Sequence, residues 1–321
     1  MNITGNFNYL LKSVKVFITL LVMLVTLNQS IYSARLVKSG MFDNSLKSAY
    51  PQTIVADMVE AHFNAPIPTG KTVKKCYIIG FDGARCDGVT VLKDAQQSGI
   101  KIIAQQGGLY TAYCGGEDFL FDKQKTSTAP GWASVLTGEW AEVNKVYDNG
   151  NVKTNDCLTV LTRMVASGKA GSAAFKCAYP GHLVSADATY KDEAAYTQAN
   201  NINVRWETYS ADDDLQAALL DEVKSPSCAD IIFSIFERPD AAGHGYNFNI
   251  EVPEYAQAMK LCDKDAYDLI TAIQGRESYA KEDWLIIITS DHGGMSNGHG
   301  TRTTDCRTTF IATNKAITAN G

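Results

Sequence analysis

The chain has 321 residues, 45% hydrophobic and 20% charged, a balance that excludes collagen-like and disordered classes and suffices for one large core. The formal net charge of -6 excludes the basic footprint of a nucleic-acid scaffold. It does not exclude small phosphate ligands, because bound cations can supply positive charge locally.

Residues 1–33 read as a secretory signal. Lys12 and Lys15 precede an apolar run from Val16 to Leu27, too short to span a bilayer comfortably, and Ser33 and Ala34 supply small residues for cleavage. The expected location is therefore extracellular, with an uncleaved N-terminal membrane anchor as the alternative. Removing residues 1–33 loses two lysines and no acids, which takes the charge from -6 to -8. Residues 34–70 look mixed and irregular, a lead-in to a single domain over 71–321.

From Cys76 the pattern changes. Cys76–Phe81 is an apolar run that stops at Asp82-Gly83, as expected of a buried strand ending in a turn. Residues 230–236 form a second such run, ending before Glu237-Arg-Pro-Asp240. Residues 284–290 form a third, ending at Asp291-His292-Gly293. Helical spacing lies between them: Leu158, Leu161, Met164 and Val165; then Leu215, Ala218, Leu219 and Val223 with Ser210 as N-cap; then a long stretch over about 253–274. Continuous apolar strands alternating with helices predict an α/β fold, a mostly parallel sheet covered on both faces.

Ligands of open α/β sheets gather beyond the carboxyl ends of strands. Asp82, the turn Asp240-Ala-Ala-Gly-His244, and Asp291-His292 stand at three such ends. Only five histidines occur, His62, His182, His244, His292 and His299, and three of them sit in glycine-flanked turns beside strand ends. Mixed carboxylate and imidazole donors suit zinc, while a carboxylate-rich site would also take manganese or magnesium. Thr128, two residues before Pro130, fits the first turn of a helix running to about Leu136, where a hydroxyl would meet unsatisfied backbone N–H groups. Alone, such a threonine is only a helix cap.

Together these segments resemble the five motifs of the type I phosphodiesterase/nucleotide pyrophosphatase family of the alkaline phosphatase superfamily. The motif-bearing segments are Ile79–Asp87, Thr126–Gly138, Glu237–His244, Ser290–Gly294 and Gly298–Gly300, in family order. The resemblance implies an alkaline-phosphatase-like fold and a two-metal hydrolase, most simply with two zinc ions, acting on a small phosphate ester. It implies that Asp82, Asp291 and His292 hold one ion, which also meets the nucleophile Thr128. Asp240, His244 and His299 would hold the other. Asn149, within Val146–Asn149, would bind the transferred phosphoryl group.

Two features depart from the family pattern. His299 follows His292 by only seven residues, whereas many relatives place this histidine much farther downstream, and Ser127 replaces a lysine common before the nucleophile. Relatives also usually continue past the fifth motif, while this sequence reaches Gly321. A sulfatase would require a Cys/Ser-x-Pro-x-Arg run, and Thr128-Ala-Pro130-Gly-Trp132 lacks the arginine. A zinc-binding pseudoenzyme serving as an interaction module is the non-catalytic alternative. Arg85 reads as a structural ion pair with a carboxylate such as Asp87, in preference to a phosphate clamp. Trp132 fits either a packed helix position or a substrate contact. Eight cysteines and no CxxC pair argue against a thiolate zinc cage and suggest disulfides in an exported chain. The sequence specifies neither an oligomeric state nor a natural substrate, and no stable membrane span is expected.

Overall fold

The computed structural model describes residues 47–92, 95–117, 124–150, 157–184 and 188–317. The proposed signal segment lies outside them. Eight strands share one sheet: β1 (Lys47–Pro51), β2 (Val73–Phe81), β3 (Gly108–Tyr113), β4 (Ala173–Cys177), β5 (Val204–Thr208), β6 (Ile231–Phe236), β7 (Glu282–Thr289) and β8 (Thr308–Thr313). Their order is β1-β3-β8-β7-β2-β6-β4-β5. Every pairing is parallel except those of β8, which runs antiparallel to β3 and β7. The expected mostly parallel α/β fold is therefore present, with one reversed strand.

Both faces of the sheet are buried. On β2, Cys76 and Ile78 enter a core with Val55, Val59, Trp132, Leu161 and Phe233. Tyr77, Ile79 and Phe81 alternate with them and must face the opposite side, yet they are equally inaccessible. The first face is covered by α1 (Ile54–Asn64), α2 (Thr128–Thr137) and the short helix Val160–Ala166. Elsewhere α3 (Asp212–Lys224) and α4 (Arg238–Tyr246) pack against α5 (Pro253–Gln274), whose Tyr255, Met259, Cys262, Ala266, Leu269 and Ile273 form its buried stripe. Among the described residues no helix is long and apolar enough to cross a membrane.

Several expectations change. Residues 34–70 are not simply irregular, since they contain β1 and α1. Val55, Val59, His62 and Phe63 repeat at helical spacing along the buried face of α1, a signal that the irregular reading of this segment overlooks. Ser210 is not the cap of α3; Ala211 occupies that position, and three aspartates in the first turn favour the helix N-terminus instead. The stretch 238–246 is a helix, not a turn, because Pro239 falls in its first turn, where its missing N–H costs nothing. No disulfide forms among the described residues: all eight cysteines are free thiols, and seven are buried. They serve as small apolar residues scattered over β2, β4, α5, the short helices Cys86–Leu92 and Thr304–Arg307, and the loops.

Candidate metal centre

Strand register assembles the site. β2 and β7 pair Gly80 with Thr289, so Asp82 and Asp291 emerge side by side from adjacent parallel strands. Thr128 opens α2, and Gly138 closes it in the left-handed conformation. A side chain at Gly131 would lie 2.7 Å from Asp291 Cβ, so only glycine lets α2 approach this closely. Gly83 has φ +65°, and a Cβ there would lie 2.8 Å from Asp240 Cα.

Asp82, Asp291 and His292 are fully inaccessible to solvent. Asp82 Oδ2 accepts from Trp132 Nε1 at 2.8 Å, and Asp291 Oδ1 accepts from the Gly83 N–H at 3.1 Å. The other two oxygens face His292 Nε2, at 3.5 Å for Asp82 Oδ1 and 3.3 Å for Asp291 Oδ2. Thr128 Oγ1 completes the group, 3.4 Å from both Asp82 Oδ1 and His292 Nε2. The second cluster lies nearer the surface. On α4, Asp240 and His244 are one turn apart, with Asp240 Oδ2 3.4 Å from His244 Nε2. His299 Nε2 lies 3.6 Å from Asp240 Oδ1 and 3.1 Å from His244 Nε2. The short seven-residue spacing thus does bring His299 to Asp240 and His244.

The tautomers define the chemistry of these groups. Each of the three histidines turns Nδ1 toward a backbone carbonyl: His292 to Gly293 at 2.7 Å, His244 to Asn297 at 2.9 Å, His299 to Thr126 at 3.2 Å. A carbonyl only accepts, so in the neutral rings Nδ1 carries the hydrogen and Nε2 presents a bare lone pair. The lone pairs of His244 and His299 then oppose each other, and those of His292 and His299 face carboxylate oxygens. Asp291 Oδ2 and Asp240 Oδ1 are buried without any hydrogen-bond donor. Either a bound cation or protonation of the carboxyls relieves such a set. Donors bound at about 2.0–2.1 Å to one tetrahedral ion lie about 3.3–3.4 Å apart, close to the separations in both clusters. The carbonyl partners also match the usual outer support of metal-bound imidazoles.

Electrostatics agree. Burial, followed by the charges of Glu237 and Asp240, holds the Asp82 carboxyl well above the usual carboxylate range. Burial and the Asp82 charge do the same to Asp291. Burial raises Asp240 to about 6 and, with His244, lowers His299 to about 4; it also pushes His292 well below its ordinary value. A bound dication would reverse the penalty on each carboxylate.

Beside the clusters opens a cleft of about 390 Å³, lined among others by Thr128, Asn149, Tyr179, Glu237 and Asp240. Asn149 Oδ1 accepts from the Ala129 N–H at 2.9 Å, which leaves its amide donors for the cleft. Arg85 has no such freedom. It grips Asp87 through two contacts of 2.8 and 2.6 Å and donates to the carbonyls of Phe248 and Gly294, so it pins loops together. Trp132 is a packed helix residue that orients Asp82. His182 and Glu237 also face the cleft, and sequence reasoning assigns them no role.

The type I phosphodiesterase/nucleotide pyrophosphatase family model matches residues 122–309, more than half of the chain. The chain belongs to this family. Family members are typically metal-dependent, in keeping with the donor clusters described above. Fold neighbours include BT1596, a 2-O GAG sulfatase, at 12% identity, covering 77% of this chain and 66% of that one with a TM-score of 0.52. A putative sulfatase from Bacteroides thetaiotaomicron matches at 12% identity over 76% of this chain and 64% of that one, with a TM-score of 0.50. An inactive variant of murine ectonucleotide pyrophosphatase/phosphodiesterase 5, in complex with AMP, is similar at 16% identity with a TM-score of 0.46. That match covers 69% of this chain, which spans 57% of the murine chain's length. No curated protein matches the sequence.

Proposed function

We propose that this protein hydrolyses phosphate esters, diesters or monoesters, with Thr128 as nucleophile and a divalent ion, most simply Zn²⁺, in each donor cluster. The observation that carries the reading is the set of bare imidazole nitrogens and donor-free carboxylate oxygens at tetrahedral spacing, with a threonine hydroxyl inside the deeper set. Asp82, Asp291 and His292 would hold one ion, and Asp240, His244 and His299 the other. When bound, such ions lower the pKa of a nearby hydroxyl and offset charge on phosphoryl oxygens.

The chain's own groups do the remaining work. Thr128 sits at the N-terminus of α2, where the helix dipole favours an anionic phosphoryl group beside its oxygen. Thr128 Oγ1, its proton lost to solvent, attacks phosphorus; the bond to the leaving group breaks, the departing alkoxide takes a proton from water, and a phosphothreonine remains. Water then attacks that phosphorus, the bond to Thr128 Oγ1 breaks, the phosphate product departs and Thr128 regains a proton. The Asn149 amide, held by the Ala129 N–H, donates to an equatorial phosphoryl oxygen and needs no reorganisation to do so. Trp132 and the Gly83 N–H fix the two deep carboxylates in position.

Purified protein, stripped and reloaded with zinc, should turn over p-nitrophenyl phosphate or bis-p-nitrophenyl phosphate. Metal uptake without turnover of either ester would favour the interaction-module alternative.

A further inference from the structure

Phe248 lies between α4 and α5, four residues beyond His244, and is 1% exposed. Two glycines leave the space for its ring. A Cβ on Gly243, within α4, would fall onto Cδ1, Cε1 and Cζ of that ring. A Cβ on Gly294, in the loop after β7, would fall onto Cγ, Cδ1 and Cδ2. No real Cβ comes so close to other atoms, so glycine at both positions is what admits the ring. Gly243 adjoins His244, and Gly294 is two residues past His292, so this slot is built from the same segments that supply the metal donors.

The backbone of Phe248 is tied to those segments too. Its N–H donates to the Ser296 carbonyl, and Arg85 Nη1 donates to the Phe248 carbonyl at 3.0 Å and to the Gly294 carbonyl at 2.9 Å. The preceding residue, Asn247, is held at φ +122°, a conformation that persists in a residue with a side chain only where the surroundings over-determine it. The ring meets both rim imidazoles nearly at right angles, with centroids 5.4 Å from His244 at 81° and 6.1 Å from His299 at 86°. Tyr255 of α5 packs on the same ring at 5.8 Å. One hydrogen bond at Nδ1 leaves an imidazole plane free to rock, and a flat ring packed edge-to-face against it removes that freedom. The support matters most for His244, whose side chain is 48% exposed.

We propose that Phe248 is a positioning residue for the outer donor set: its ring, seated against Gly243 and Gly294, holds the His244 and His299 imidazoles at the angle from which both Nε2 lone pairs converge beside Asp240. The inner set of Asp82, Asp291 and His292 draws its support from Trp132 and the Gly83 N–H instead, so loss of the Phe248 ring acts on one set and spares the other.

The proposal rests on the reading of both clusters as metal sites, and the experiment separates the two. Four full-length proteins are compared: wild type, Gly294→Ala, Phe248→Ala and the double variant. Each is stripped and equilibrated with chelator-buffered zinc, zinc per chain is measured by mass spectrometry, and the stripped forms are unfolded in urea. Wild type should hold two ions. Gly294→Ala and Phe248→Ala should each bind one of them at least about 10-fold more weakly. Anomalous difference maps should place the ion that stays among Asp82, Asp291 and His292. Because the added Cβ strikes the Phe248 ring, Gly294→Ala should destabilise the wild-type background and have little effect in the Phe248→Ala background. Additive losses, or a double variant that folds no better than Gly294→Ala, overturn the slot. Equal weakening of both ions, or wild-type zinc affinity in Phe248→Ala, overturns the positioning role and leaves the two-cluster reading intact. A wild type that takes up no zinc overturns that reading and the positioning role with it, while the urea comparison still decides the slot. Should Phe248→Ala fail to fold, Phe248→Leu keeps the apolar volume without the flat ring and should show the same selective loss.

Discussion

Asp82, Asp291 and His292 have no contact with solvent, whereas His244 in the neighbouring cluster leaves 48% of its side chain exposed. The two sets use the same chemistry, carboxylate oxygens facing imidazole Nε2 atoms, but are supported differently. The deep set stands on strand ends, with its spare oxygens tied to Gly83 and Trp132. The rim set stands on one turn of α4 and on the loop that carries Asn297 and His299. The contrast teaches a division of labour. Burial makes the deep set a rigid seat beside the threonine, at high electrostatic cost when empty. Exposure leaves the rim set open to the cleft, which Asp240, His244 and His299 line.

The sharpest way to break the comparison is Thr128→Ala. Turnover should fall by at least about 10³-fold while metal content stays the same, because three ligands of the deep set remain. A variant with wild-type rates on both chromogenic esters removes Thr128 from the chemistry.

The next largest effect concerns pH and the metal-free protein. Asp240 is raised to about 6 from an ordinary value of 3.8, so the folded state holds this proton more tightly than the unfolded chain does. Its contribution is therefore most favourable below about pH 4 and is lost as pH rises through 6, a change of about 3 kcal/mol. Asp82 and Asp291 are raised further by deeper burial, and their effect has the same sign. The lowered His292 and His299 contribute with the opposite sign up to about pH 6.5, so urea unfolding of the stripped protein should show stability falling from about pH 7 upward, and zinc should abolish the slope. Asp291→Asn should flatten it more than Asp240→Asn; the reverse order would contradict the assigned depths.

Asn149→Ala tests the cleft side. A loss of about 10²-fold in kcat is expected, as for removal of one preorganised donor. The Ala129 N–H also loses its cap, so stability should fall by about 1 kcal/mol, measurable by denaturant titration. The smallest change is Trp132→Phe, which keeps a ring in the core but removes the hydrogen bond to Asp82. Zinc affinity of the deep set should drop about 10-fold, with the rim set unaffected; equal weakening of both, in competition with a chelator, would show that the two sets are not independently supported.

Much of the fold and of the two donor sets is legible in the amino-acid sequence alone. Apolar runs stopping at Asp82 and Asp291 are local signals, and the parallel sheet aligns those ends. Other parts stay hidden because they depend on pairing between distant segments. Glu237 stands beside Asp82 only through the Phe81–Phe236 register, and nothing within its own stretch announces that neighbour. His182 lies on a four-residue helix with no periodicity to read. Trp132 has the pattern of an ordinary core residue, and it is one, but its indole N–H happens to end at a carboxylate. The disulfide expectation rests on an even cysteine count, which carries no information on where the sulfurs fall.

The compact run from Asp291 to His299 has a mechanical corollary. One stretch of nine residues delivers donors to both clusters, so a single tight loop links them directly, in addition to the strand pairing that places Asp82 and Asp240. Phe248 N–H donates to the Ser296 carbonyl at 2.6 Å, and Asn297 Nδ2 donates to the His244 carbonyl at 3.1 Å, so that loop is also clasped to the end of α4. Lengthening it by even one residue would put the two halves of the centre out of step, which makes this loop the place where the chain is least tolerant of insertion.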